Sequence, residues 1–135
     1  MPREYREERL ARVLREQLHE RIQGVQETVV VTNDGLVVAA YASADQEQNA
    51  HDDIDSSHWV GALAAEIMAQ SRRAFSRLSQ GAVGRILVEG ESSSMIVIPA
   101  GDRAALAVMM DPDAKLGLAM FQIARVAEHI STLLD

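Results

Sequence analysis

Apolar residues along this chain recur with different rhythms, and each change of rhythm marks a change of element. Leu10, Val13, Leu14, Leu18 and Ile22 return every three or four residues, which predicts an amphipathic helix over 3–22 that Gly24 stops. Residues 28–32 are then β-branched throughout, Asn33-Asp34-Gly35 follows, and a second apolar run covers 36–41. Two such runs around a tight tripeptide predict a β-hairpin, with Gly35 supplying the positive φ of the turn. Residues 43–57 are polar and acidic without a basic side chain, and predict a loop that ends with Asp55 or Ser56 as helix N-cap. Paired apolar positions at Trp59-Val60, Leu63-Ala64, Ile67-Met68 and Ala74-Phe75, with Leu78, predict a second helix to about residue 78. Three short runs at 85–89, 95–99 and 104–110 are separated by Gly90-Glu91-Ser92-Ser93 and Gly101-Asp102, and predict strands joined by hairpins. Asp111-Pro112-Asp113 has the chemistry of a helix start, and Leu116, Met120, Ile123, Ala127, Ile130 and Leu134 carry the last helix to the end of the chain.

The resulting order is α-β-β-α-β-β-β-α. Only the connection through the second helix is long enough for a crossover. The fold class expected is therefore layered α/β (α+β), a single five-stranded antiparallel sheet with helices on both faces, in one domain spanning 1–135.

Composition narrows the function. The 135 residues contain no cysteine, which removes thiolate metal sites and cysteine nucleophiles. Aromatic residues are 4% of the chain and the net charge is -7, a combination unsuited to phosphate backbones or base stacking, so nucleic acid is not expected as a partner. Residues 1–21 hold six Arg and five Glu with alternating sign, Glu8 and Arg12 among them, and read as a solvated helix face rather than a basic arm. No secretory leader or membrane span is legible, so the expected location is the cytoplasm. The acidity concentrates in residues 43–57, where Asp45, Glu47, Asp52 and Asp53 suit a basic protein partner.

Chemistry-bearing motifs are sparse. There is no phosphate-cradling glycine loop. His51, Asp52, Asp53, Asp55 and His58 could in principle ligate a divalent metal, but their spacing matches neither a helical His pair nor a calcium loop, and no metal is expected. The serines at 92–94 have no adjacent histidine, and His19 and His129 sit among charged neighbours that suggest exposed faces. The six methionines are expected mainly to fill the core. No catalytic residue and no cofactor are expected; the chain is read as a non-enzyme.

The second helix carries more information. Gly61, Ala65 and Ala69 form a line of small residues with Ala62 alongside, while Trp59, Leu63 and Ile67 form a neighbouring bulky stripe. A helix apolar over two stripes must bury two faces, one against its own sheet and one against a partner. An open sheet likewise leaves edges that a second copy can pair.

The hairpin VVVTNDGLVVAA at 29–40, the strands GRILVEGESSSMIVIPAGDRAALAVMM at 84–110 and the helix DPDAKLGLAMFQIARVAEHI at 111–130 resemble, in order and spacing, the roadblock family (dynein light-chain roadblock type, with bacterial MglB-like GTPase regulators). The resemblance implies helix 2 on one sheet face and helices 1 and 3 on the other. It implies a homodimer made by antiparallel pairing of the third strand, Arg85, Ile86, Leu87, Val88 and Glu89, and by packing of helix 2 through Gly61, Ala62, Ala65, Met68 and Ala69. It further implies a small Ras-like GTPase bound on the helix-2 platform, with Trp59, Arg72, Arg73 and Arg77 as the partner-binding side chains. Hydrolysis would then be stimulated by ordering the GTPase's own residues or by an arginine supplied in trans. The sequence leaves open a small-molecule sensory module or a scaffold subunit of a signalling complex.

Overall fold

The computed structural model describes residues 3–43 and 56–134. In chain order the elements are α1 (Arg3–Leu14), a π-helical turn (Arg15–His19), β1 (Val25–Thr32), β2 (Val37–Ala42), α2 (Ser56–Arg77), β3 (Ile86–Glu89), β4 (Ser94–Pro99), β5 (Ala104–Met110) and α3 (Leu116–Leu134). The five strands form one antiparallel sheet in the order β2-β1-β5-β4-β3, as the hairpin-length connections require. Four of the five residues weighed and set aside as metal ligands, His51, Asp52, Asp53 and Asp55, and most of the acidic loop, including Asp45 and Glu47, lie outside the described residues, while His58 is on α2.

Strand alternation divides the core in two. Val30, Ile96, Ile98, Leu106, Val108 and Met110 face α1 and α3, where they meet Leu10, Leu14, Leu18, Ile123, Val126 and Ile130. Val29, Val31, Val97, Ala105 and Ala107 face the other way and meet Ala64, Ala65 and Met68 of α2. A sheet covered on both faces explains why the central strands read as unbroken apolar runs. Fully burying each large aliphatic side chain contributes about 1.5–3 kcal/mol, so most of the stability resides in the larger α1/α3 layer.

Two boundaries differ from the sequence reading. The N-terminal helix does not run to Ile22 as an α-helix: it widens into the π turn, closed by a 2.9 Å bond from the Glu20 N–H to the Arg15 carbonyl. The 111–113 segment is a turn, not the first turn of α3, which begins at Leu116. The Asp111 carboxylate accepts from the Gln26 side chain at 2.6 Å, and its N–H donates to the Gly24 carbonyl at 2.8 Å, so tertiary contacts take the intended cap residue. The end of α2 at Arg77 agrees with the reading to about residue 78, and the chain leaves it through Ser79, at φ +56°, with the Gln80 N–H on the Phe75 carbonyl and the Ser79 N–H on the Ser76 carbonyl. This is a helix-terminating bond pair built on a non-glycine residue, ahead of the glycines at 81 and 84.

The hairpin is as read. Gly35 sits at φ +91° and its N–H donates to the Thr32 carbonyl, a three-residue loop with a bulge between Val30 and Val31. Ser56 opens α2 and its hydroxyl donates at 2.9 Å to the buried Glu27 carboxylate, which lies where the helix dipole favours negative charge.

His19 is not on an exposed face. Its Nε2 lies 2.9 Å from the Thr28 hydroxyl, its ring meets Tyr41 edge-on at 4.8 Å, and Nδ1 is buried without a partner. Burial lowers its pKa from 6.5 to about 4 against a smaller opposing effect from the Tyr41 backbone. The folded state thus binds its proton later than the unfolded state as pH falls, so the contribution of neutral His19 is complete above pH 6.5 and is lost between 6.5 and about 4. Denaturant titrations at pH 7.5 and 4.5 are expected to show about 1–2 kcal/mol less of this loss in His19→Gln than in the parent, a figure reduced for partial solvent screening.

Candidate functional site

The outer face of α2 and the adjoining end of the sheet form the candidate site. Because β1 and β2 present Val29, Val31 and Val37, a helix can lie on them only if its inward residues are small. A Cβ added at Gly61 would meet the Val37 Cγ2 at 2.9 Å, the Val31 Cγ2 at 3.3 Å and the Val29 Cγ1 at 3.4 Å. Gly61, Ala64, Ala65 and Met68 are accordingly buried against the chain's own sheet, and Ser57 is buried at the same face.

The α2 residues expected at a dimer contact therefore divide between the chain's own sheet and the outer side. Gly61, Ala65 and Met68, expected on a dimer-facing line, are used within the chain, while Ala69 is half-buried and Ala62 exposed. Outward lies the bulky stripe, with Trp59 at 56% and Leu63 at 46% exposure, followed by Phe75 and Leu78. The periodicity identified two apolar stripes but carried no information on which one the valines of β1 and β2 would accept.

The helix α2 lies over β1, β5 and β2. Val88 stands opposite Met95 and Ile86 opposite Val97, which places Ile86, Val88 and Met95 on the α2 side of the sheet, Ile86 and Met95 partly buried against the α2 core layer and Val88 exposed beyond it. Val88 is 45% and Leu87, on the reverse face, 41% exposed. Strand β3 pairs only with β4, so its other edge is open. The Gly90 N–H donates to the Ser93 carbonyl at 2.9 Å across the turn; by ladder alternation Ile86 and Val88 bond to β4, and Leu87 and Glu89 direct their N–H and C=O groups outward. Arg85 is exposed immediately before the strand.

The three arginines of α2 separate. Arg72 is half-buried and its Nη1 lies 3.5 Å from Asn33 Oδ1, while Asn33 itself donates to the Asp102 carbonyl at 2.8 Å, so Arg72 leans on the hairpin turn. Arg73 and Arg77 are exposed and, with Gln70, Ala74 and Leu78, line a shallow hollow of about 430 Å³. A second groove, of about 540 Å³, lies on the opposite side of the molecule between the 21–24 turn and the start of α3. Neither sequence reading nor motif drew attention to the exposed Leu118 and Phe121 beside that groove; the signal was there, since both fall outside the 116-120-123-127-130 core positions.

Among the described residues no group of three or more His, Asp or Glu side chains is placed to hold a metal ion. Ser93 donates to Gln26 Oε1 at 3.0 Å and Ser94 is buried in β4, both structural roles. No helix among the described residues is long and apolar enough to cross a membrane.

Solved structures share this arrangement. A structure described as MglB with a tetrameric arrangement superposes with a TM-score of 0.79 at 22% identity, covering 95% of this chain and 89% of that one. The gliding protein MglB from Thermus thermophilus gives 0.78 at 21% identity, with 95% and 90% covered. A Roadblock/LC7 domain from Streptomyces avermitilis gives 0.74 at 23% identity, with 96% and 95% covered. Comparison of the sequence with curated proteins finds no significant match. At these identities the likeness establishes the fold, with α2 on one sheet face and α1 and α3 on the other. The family model for the Roadblock/LC7 domain matches residues 14–110, most of the chain, and the protein belongs to the Roadblock/LC7 family.

Proposed function

We propose that the chain is a non-catalytic homodimeric regulator that binds a small Ras-like GTPase on its α2 face. The observation that carries this reading is the open edge of β3, with Leu87 and Val88 exposed, in a molecule whose α2 also leaves Trp59 and Leu63 exposed on its outward side. An apolar surface ending in an open strand edge favours a protein that pairs with that edge, and a second copy supplies an identical β3. The dimer surface is then Arg85, Ile86, Leu87, Val88 and Glu89 with Ala62 and Ala69, and no longer the sheet-facing Gly61, Ala65 and Met68.

In this reading Trp59, Arg73 and Arg77 meet the GTPase. Exposed aromatic and arginine side chains are the residue types that most often dominate binding energy. Stimulation of hydrolysis falls to Arg73 or Arg77 if an arginine is supplied in trans, because Arg72 is engaged by Asn33. The similarity to MglB gliding proteins supports this class of partner.

Calorimetric titration with a Ras-like GTPase from the same organism, loaded with a non-hydrolysable GTP analogue or with GDP, tests the proposal. Binding in one state is expected, weakened roughly ten-fold or more by Trp59→Ala. Heat from neither state would remove the GTPase and leave a sensory or scaffold role.

A further inference from the structure

The net charge of -7 is not spread evenly along the chain. Between Glu66 and Glu89 lie four arginines, Arg72, Arg73, Arg77 and Arg85, and no acidic residue, a net of +4. The other nine basic and twenty acidic residues give -11. The basic stretch is the second half of α2 and the chain that joins it to β3. The carbonyls that end α2 attract a cation to its last turn, which accounts for Arg77 and leaves Arg73, one turn earlier, without such a reason.

Arg73 and Arg77 are four residues apart on one side of the helix, with Gln70 a turn before them. The three line the shallow hollow together with Ala74 and Leu78. Like charges at this spacing repel and cost the helix stability. Among the described residues neither guanidinium has an ion pair to relieve that cost, whereas Arg72, on the flank, leans on Asn33. An anionic group seated between the two would relieve it. Leu78 borders the hollow with 64% of its surface exposed, so an apolar wall stands beside the cations.

These features state the chemistry of the occupant. Two guanidiniums call for carboxylates, which arginine binds through paired hydrogen bonds. The Leu78 wall calls for an apolar side chain next to them. A long polyanion is disfavoured, because a nucleic acid or an anionic membrane would extend past the patch onto a molecule that elsewhere carries -11. We propose that the hollow of Gln70, Arg73, Arg77 and Leu78 docks a short acidic segment of a partner protein, its carboxylates on the two arginines and an apolar side chain against Leu78. This rests on the reading of α2 as a partner-binding face and adds the chemistry of the segment that seats there; it does not require the partner to be a GTPase.

Fluorescence anisotropy of a short labelled peptide of alternating glutamate and leucine, titrated with the full chain, tests the proposal. Saturable binding is expected, roughly five-fold weaker at about 300 mM salt than at about 50 mM. Replacing both arginines, Arg73→Glu with Arg77→Glu, is expected to weaken it at least roughly twenty-fold with little change in thermal unfolding, because both side chains are exposed. The doubly reversed chain is expected to bind a lysine–leucine peptide instead. Leu78→Ser is expected to weaken binding roughly three-fold. No binding of the glutamate–leucine peptide overturns the proposal, as does equal binding of a glutamine–leucine peptide or indifference to the double reversal. Tighter binding of a single-stranded oligonucleotide or of phosphatidylserine vesicles also overturns it, by assigning the patch to an extended polyanion. Peptide binding that the double reversal abolishes, with no GTPase bound in either nucleotide state, upholds this proposal and removes the GTPase reading alone.

Discussion

Replacing Gly61 by leucine is expected to destabilise the folded chain by about 3 kcal/mol, the sum of overpacking against the valines and partial separation of the α2 layer. Even a lone Cβ there falls 2.9 Å from the Val37 Cγ2, and a leucine extends into Val31 and Val29 as well. The helix must lift, which exposes Ala64, Ala65 and Met68, now buried beneath it. A midpoint lower by roughly 10 °C in thermal unfolding is the expected reading. Two companions calibrate it. Gly61→Ala gains about 1 kcal/mol of helix propensity, which offsets the contact with a half-buried valine on an edge strand, so its net effect is small. Ala62→Leu, on the exposed side of the same turn, is expected to change stability by less than about 0.5 kcal/mol. A stable Gly61→Leu chain that had lost only self-association would return the small-residue line to the partner face.

Leu87→Pro is expected to weaken pairing through β3 by at least about a hundred-fold while leaving the monomer folded. The ladder alternation turns the Leu87 N–H outward, so proline removes a donor from the open edge and none from the β3–β4 pair. Edge positions facing away from the sheet are where proline is tolerated within a chain, and that same loss of a donor defeats pairing with a second strand. Val88→Pro makes the contrast, because Val88 bonds to β4 and its replacement is expected to destabilise the strand itself. The two variants, compared by circular dichroism and by concentration-dependent mass, separate loss of the interface from loss of the fold.

Much of this architecture was legible in the sequence, and the failures share a cause. The β-branched run before Asn33-Asp34-Gly35 and the hairpin-length gaps at 90–93 and 101–103 determine an antiparallel sheet, because local turn chemistry leaves few alternatives. Long-range contacts decided the rest. Asp111 has the chemistry of a helix cap, yet Gln26, far away in sequence, holds its carboxylate, and α3 starts later. His19 sits among charged neighbours, yet the π turn swings it under Tyr41 and against Thr28. The two apolar stripes of α2 are equivalent to any periodicity argument. Only the shape of the valines beneath them places Gly61 inward and Trp59 outward. As to the candidate site, the sequence pointed to α2 and β3, but which side chains there are left exposed was decided by the packing.

The central claim is that the outward α2 stripe and the β3 edge form a surface for a second copy and, on that dimer, a GTPase. Size-exclusion chromatography with light scattering tests it. The expected mass is twice the 14.8 kDa of one chain, rising by one bound GTPase when the partner is added in its binding-competent nucleotide state. A single 14.8 kDa species, or a dimer whose mass is unchanged by the GTPase in either nucleotide state, would contradict it.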